Sequence, residues 1–245
     1  MRPVLFQWRG FTVFSYPAML YVGLVFGVAA GNLAAHAMGV DAYRALLATL
    51  ILLVPALMGA RLIYVAQHWD RYRRNPRRIW NRSEGGATMY GGLLVAFPLS
   101  VPLLSAFHLP FGAFWDVAAF TMLVGMIFTR IGCLLNGCCA GRPSGTWLAL
   151  RLPNLAGVWD KRFPVQFLES AWAVILLAFA IVLRRSIPFP GGLFLFVAGG
   201  YAAGRLVLES MREPEPGVRR ITYGHLASLV MIVLSVVTLV THWPK

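Results

Sequence analysis

The sequence predicts an all-α integral membrane protein, a bundle of about seven transmembrane helices. Three observations predict it. Hydrophobic residues make up 58% of the 245-residue chain, and the mean hydropathy is +0.68. Only 13% of residues are charged, about half the share found in soluble domains and too few to cover a water-facing surface. The apolar residues also fall into stretches long enough to cross the hydrocarbon core of a bilayer.

In order, these stretches run Phe14–Ala35, Ala45–Gln67, Gly91–Phe107, Phe114–Phe128, Val165–Leu183, Gly191–Leu208 and Gly224–Val240. Arg2 and Arg9 precede the first, and Ala35-His36-Ala37 imitates a signal-peptide cleavage site. The run is nonetheless long enough to span, so an uncleaved first helix is expected. The third and fourth stretches are short, and Pro98, Pro102 and Pro110 blur their ends. Without an internal repeat or a low-complexity linker, residues 1–245 read as a single polytopic membrane domain.

The charge is lopsided: 22 Lys+Arg against 9 Asp+Glu, a net +13, with Lys161 and Lys245 the only lysines. In a membrane protein this balance points to phosphate or anionic lipid rather than nucleic acid, or to loop charge that sets topology. Alternate loops differ sharply. One side collects Arg2, Arg9, the Arg71–Arg82 group, Arg130, Arg142, Arg151, Lys161, Arg162, Arg205, Arg212, Arg219 and Arg220. The other carries Arg44, Arg184, Arg185 and Lys245, while Arg61 lies inside the second span. The positive-inside rule puts the crowded side in the cytoplasm.

Polar residues in or beside apolar spans are costly, so four clusters are candidates for chemistry. In Gly85-Gly86-Ala87-Thr88-Met89-Tyr90-Gly91-Gly92-Leu93, two glycine pairs flank Tyr90 at the start of the third span. They open backbone amides to a ligand, or else serve a turn and close helix packing. In Arg130-Ile131-Gly132-Cys133-Leu134-Leu135-Asn136-Gly137-Cys138-Cys139-Ala140-Gly141-Arg142-Pro143, an arginine closes the fourth span and a glycine-rich polar loop follows. Arg130 offers a planar fork of donors to phosphate, and Asn136 can orient a substrate oxygen. In the third cluster, Gln166 and Glu169 fall on one face at the start of the fifth span. Glu169 there requires a cationic partner, as a structural pair or as part of a site. In the fourth, Tyr201, Arg205, Glu209 and Arg212 share one helix face, as a structural pair or an anion clamp. Cys133, Cys138 and Cys139 lack a disulfide-framework or four-ligand zinc spacing. They read as small apolar filler, with a transient carrier, a redox pair or a soft-metal site as the sharper readings.

Taken together, from Tyr16 to about Leu229, these clusters resemble the prolipoprotein diacylglyceryl transferase family in order and spacing. Arg61-Leu62-Ile63-Tyr64-Val65 resembles its second-helix element. The resemblance implies transfer of the diacylglyceryl group of phosphatidylglycerol to the thiol of a lipobox cysteine, releasing glycerol phosphate. It implies no cofactor or metal. The expected partners are an anionic phospholipid and a prolipoprotein signal peptide or another acceptor. The expected location is the bacterial cytoplasmic (inner) membrane, multi-pass. Arg130 and Arg205 match the family's essential arginines, Tyr16 and Tyr201 its substrate-side tyrosines, and Asn136 and Gly141 its loop signature. Gly91, Gly92, Gly137, Arg142, Gln166, Glu169, Glu209, Arg212 and Arg61 complete the expected substrate-binding set.

Three positions depart from the family. Tyr90 stands for its essential histidine, Cys133 for its first loop asparagine and Cys138 for its loop glutamate. A phenol titrates near pH 10 and is a poor base at neutral pH. Either Tyr90 donates a hydrogen bond to an acceptor that arrives ionised, or another base serves, with His225 the candidate replacement. Competing readings are a paralogue with a different acceptor and a non-catalytic lipid-binding or anion-transport protein. The resemblance turns the arginine-rich loops outward, against the charge count. Arginines that recruit anionic lipid are not topology signals, and the outward reading is preferred.

Overall fold

The computed structural model describes residues 4–8, 11–73, 76, 79, 88–154, 157–213 and 223–243. A hairpin of β1 (Val4–Trp8) and β2 (Phe11–Phe14) leads into α1 (Ser15–Ala37) and α2 (Ala42–Gln67). The single turn α3 (Trp69–Tyr72) precedes α4 (Met89–Ala106) and α5 (Phe111–Asn136). A second hairpin, β3 (Leu150–Pro153) with β4 (Trp159–Arg162), precedes α6 (Val165–Leu183), α7 (Gly192–Ser210) and α8 (Tyr223–His242). Among the described residues seven helices are long and apolar enough to cross a membrane. This is the expected all-α, multi-pass architecture. Val25, Leu33, Leu94, Val182 and Val240 are exposed on it, as befits side chains whose solvent is lipid.

Most helix ends fall within three residues of the sequence reading, and the end of α5 departs furthest from it. Helix α5 continues eight residues beyond the expected end at Phe128. Arg130, Gly132, Cys133 and Asn136 are therefore helical, and the polar loop begins only at Gly137. Within this extension Arg130 pairs with Glu169 of α6, and the helix stops where Gly137 turns left-handed at φ 75°. Pro98 and Pro102 lie inside α4 and do not end it, while Pro110 caps the start of α5.

Successive long helices alternate in direction. Short turns join them at one end of the bundle. The segments at the other end are longer and carry both hairpins and the four polar clusters. Gly23, Gly27 and Gly31 recur every fourth residue down α1 and face α5. A Cβ on Gly27 would stand 2.6 Å from the Thr121 carbonyl oxygen, and one on Gly23 2.8 Å from that of Gly125. Such small-residue stripes let two backbones approach closely where lipid supplies no hydrophobic drive. The register continues upward, so that Gly132 of α5 packs on Met19 and Tyr16 of α1.

Helices α2 and α4 use the same device. Gly91 packs on Gly59 and Ile63, Gly92 on Ala56, and the Thr88 amide donates to the Ala60 carbonyl at 3.1 Å. Thr88 caps α4 by accepting from the Gly91 amide. Trp172 of α6 donates to the Gly200 carbonyl of α7 at 3.0 Å. At the opposite end from the polar clusters, buried Asp116 of α5 accepts from the Gly191 and Phe194 amides at 2.7 and 2.8 Å. It thereby satisfies free donors at the start of α7 in place of a local cap.

Replacing Gly27 with leucine is expected to push α1 off α5 and destabilise the bundle by about 1–3 kcal/mol, the usual cost of overpacking. A thermal midpoint in detergent equal to the parent protein would refute this account of the contact.

Candidate active site

The four clusters meet at one end of the bundle around Glu169. This residue starts α6 one turn after Gln166, and only 2% of its side chain is exposed. Its Oε2 lies 2.8 Å from Arg130 Nε on α5, and its Oε1 accepts from Arg205 Nη1 on α7 at 2.7 Å. Arg205 Nη2 then reaches Glu209 Oε2 at 2.7 Å, one turn further along α7, and Arg212 Nη1 meets the same oxygen at 3.1 Å. The result is an alternating chain of three guanidiniums and two carboxylates, Arg130–Glu169–Arg205–Glu209–Arg212, with one positive charge in excess. In a low-dielectric setting each pairing is strong, and each unpaired charge would be costly.

The two arginines expected to grip an anion are not equivalent. Both terminal nitrogens of Arg205 hold carboxylates, so it braces the network. Arg130 is tied through Nε. Among the described residues Glu169 is the one carboxylate paired with it, and 14% of its side chain is exposed. In the fourth cluster Arg205 is thus an ion-pair partner of both Glu169 and Glu209.

Three tyrosines edge this network. Tyr16 of α1 is an electrostatic neighbour of Arg130 and the cysteines. Tyr201, buried on α7, neighbours Arg130. Tyr90 of α4 neighbours Tyr201, Arg205 and Glu209. Its hydroxyl is 2.6 Å from Ser228 Oγ, which joins α4 to α8. His225 lies three residues before Ser228 and so shares its face of α8. Below Tyr90 and Tyr201 an apolar cavity of about 30 Å³ opens between Met89, Met122, Met126 and Met231.

The loop after α5 docks on the end of α7. Arg142 pairs with Met211 and Phe163 through its backbone, and Glu213 N donates to the Ala140 carbonyl. Gly141 bridges to Arg212, and a Cβ there would collide with the Phe163 carbonyl oxygen. Buried Gln166 donates to the Cys138 carbonyl at 2.7 Å. Buried Arg162 pairs with Glu213 at 2.9 Å and donates to the Gly141 carbonyl.

Not every expected site residue joins the network. Gly91 and Gly92 are buried in the α2–α4 contact, which is the close-packing alternative for that motif. Gly85, Gly86 and Ala87 of the same motif lie outside the described residues, as do Arg219 and Arg220. Arg61 donates to the Ile79 carbonyl and lies against the Tyr64 and Tyr72 rings. The side chains of Asn136 and Arg142 are exposed at the bundle end, while Gly137 forms the helix stop. Conversely, Ser228, Arg162 and Asp116 were not singled out from the sequence. Asp116 carried a usable signal, since it is an acid within an apolar span. Ser228 carried none.

The chain is matched over residues 3–241 by the family model described as prolipoprotein diacylglyceryl transferase. Three curated relatives bear the name phosphatidylglycerol–prolipoprotein diacylglyceryl transferase. That of Dehalococcoides mccartyi is 29% identical over 201 residues, 79% of this chain and 75% of its own. That of Clostridium kluyveri is 26% identical over 242 residues, 96% and 94% of the two chains. That of Clostridium botulinum is 26% identical over 243 residues, 96% of each.

Glu169→Gln would leave two buried guanidiniums without their shared carboxylate. Removing one partner of a buried pair costs about 3–5 kcal/mol, so the variant should melt well below the parent protein. An unchanged midpoint would show that Arg130 and Arg205 do not depend on this carboxylate.

Proposed function

The chain belongs to the prolipoprotein diacylglyceryl transferase family, and on that footing we propose that it transfers the diacylglyceryl group of phosphatidylglycerol to the thiol of a lipobox cysteine. The observation that carries the reading is the buried Arg130–Glu169–Arg205–Glu209–Arg212 chain, ringed by tyrosines at one end of a seven-span bundle. In the reaction the acceptor sulfur attacks the glyceryl carbon that bears the phosphate ester. A sulfur–carbon bond forms, the carbon–oxygen bond breaks, and glycerol phosphate leaves as a dianion. Preorganised guanidinium donors in a site that excludes water stabilise such a leaving group far better than water-exposed ones.

Arg130 is assigned to the phosphate, because among the described residues it pairs with one carboxylate where Arg205 pairs with two. Arg205 is a positioning residue. It fixes Glu169, and through it Arg130, while Glu209 and Arg212 extend the brace. Tyr16, Tyr90 and Tyr201 are placed to donate to phosphate or ester oxygens, and the Met-lined cavity offers apolar space beneath them. The acceptor's proton is assigned to His225. Tyr90 is a phenol already engaged with Ser228, and His225 is on the same helix face. His36, His108 and His242 lie at the opposite end of the bundle, and the His68 ring is bound to the Tyr64 carbonyl.

The whole chain acts as one polytopic domain of the bacterial inner membrane, with the arginine-rich end facing outward, where translocated prolipoproteins arrive. The network supports that orientation against the charge count. Arg130, Arg162, Arg205 and Arg212 are paired with glutamates, so they are not the free loop charge to which the positive-inside rule applies.

Incubation with labelled phosphatidylglycerol and a lipobox peptide is expected to release glycerol phosphate and label the peptide. Release without peptide label would assign a different acceptor, and lipid binding without any release would refute the enzyme. Arg205→Lys should reduce turnover by about 100-fold, the scale of misplacing a catalytic group by an ångström, because one ammonium cannot span Glu169 and Glu209. Parent-level turnover in that variant would remove Arg205 from the brace. His225→Gln should lower kcat while leaving KM for the lipid near its parent value; parent-level kcat would pass the proton to the acceptor's own ionisation.

A further inference from the structure

We propose that Cys133, Cys138 and Cys139 form a three-thiolate site for one soft monovalent cation, Cu(I), beside the Arg130 and Arg212 guanidiniums. All three are free thiols, and their sulfurs lie within 4.8 Å of one another. Three sulfurs held about 2.3 Å from a metal sit about 4 Å apart in a trigonal plane, so the group closes with under about 1 Å of movement.

The backbone brings the sulfurs together by two unusual turns. Cys133 lies in the last turn of α5. The chain then reverses through left-handed Gly137, with Cys138 N donating to the Cys133 carbonyl at 3.2 Å and Gly137 N to that of Leu134 at 3.3 Å. Cys139 is itself left-handed, at φ 61°. A non-glycine residue held there costs on the order of 1–3 kcal/mol and persists only where its surroundings enforce it. The outcome is that a thiol two residues past the helix stop returns to the helix it left. Apolar filler would not need that conformation.

The donor set selects the ion. Thiolates are soft ligands that favour Cu(I) and zinc. Structural zinc takes four ligands, and among the described residues no histidine, aspartate or glutamate joins this group. Charge points the same way. Three thiols and Cu(I) give a trithiolate complex of charge −2 and release three protons. Arg130 and Arg212, both electrostatic neighbours of Cys139, offset part of that negative charge.

The test is an anaerobic Cu(I) titration of the purified full-length protein, with a chromophoric Cu(I) chelator as competitor. The expected result is one copper per chain, with thiolate-to-copper charge-transfer absorption. Each of Cys133→Ser, Cys138→Ser and Cys139→Ser should weaken binding by about 10- to 100-fold or more. In the parent protein, which needs no variant to fold, copper should protect all three thiols from maleimide, as mapped by peptide mass. No charge-transfer band, parent-like affinity in the three serine variants, or a disulfide among these cysteines in reductant-treated protein would each overturn the site. These readouts are independent of lipid turnover.

Discussion

Glu169 is the constraint on which the polar end of this bundle depends. A carboxylate with 2% exposure in an apolar setting is tolerable only between cations, and it takes one from α5 and one from α7. Three helices are thereby locked at one level. The excess positive charge has no carboxylate left to meet within the network, and an anionic phosphate is the natural complement. A network with as many carboxylates as guanidiniums would be an equally good brace and a poorer receptor.

The apolar scaffold sets where that network sits. Close backbone approach along Gly23, Gly27 and Gly31 fixes α1 against α5, and the same register delivers Tyr16 to the neighbourhood of Arg130. The α2–α4 contact through Gly59, Gly91 and Gly92 positions Tyr90, and Ser228 ties that tyrosine to α8. Asp116 anchors the start of α7 at the far end, so Arg205 is held from both ends of its helix. Each tyrosine or arginine of the site is therefore placed by packing several turns away.

Tyr90, Cys133 and Cys138, where the resemblance leads one to expect other residues, have partners of their own. Tyr90 is hydrogen-bonded to Ser228, while Cys133 and Cys138 meet Cys139. None of the three makes an ion pair of the arginine network.

The sequence by itself determined the membrane bundle, its seven spans and the end on which its chemistry collects. Bilayer thickness and the cost of buried charge act on composition and spacing alone. It also exposed Arg130, Glu169, Arg205 and Glu209, because charged residues in apolar surroundings are conspicuous. Only the tertiary structure decided their partners. Which guanidinium nitrogens are taken by Glu169 depends on how α5, α6 and α7 cross, and no spacing within one helix encodes that. The tertiary structure also decided the continuation of α5 through Asn136, the burial of Gly91 and Gly92 in packing, and the pairing of Tyr90 with Ser228, 138 residues apart. Convergence of Cys133, Cys138 and Cys139 required the left-handed turns at Gly137 and Cys139, a backbone choice imposed by the docked loop.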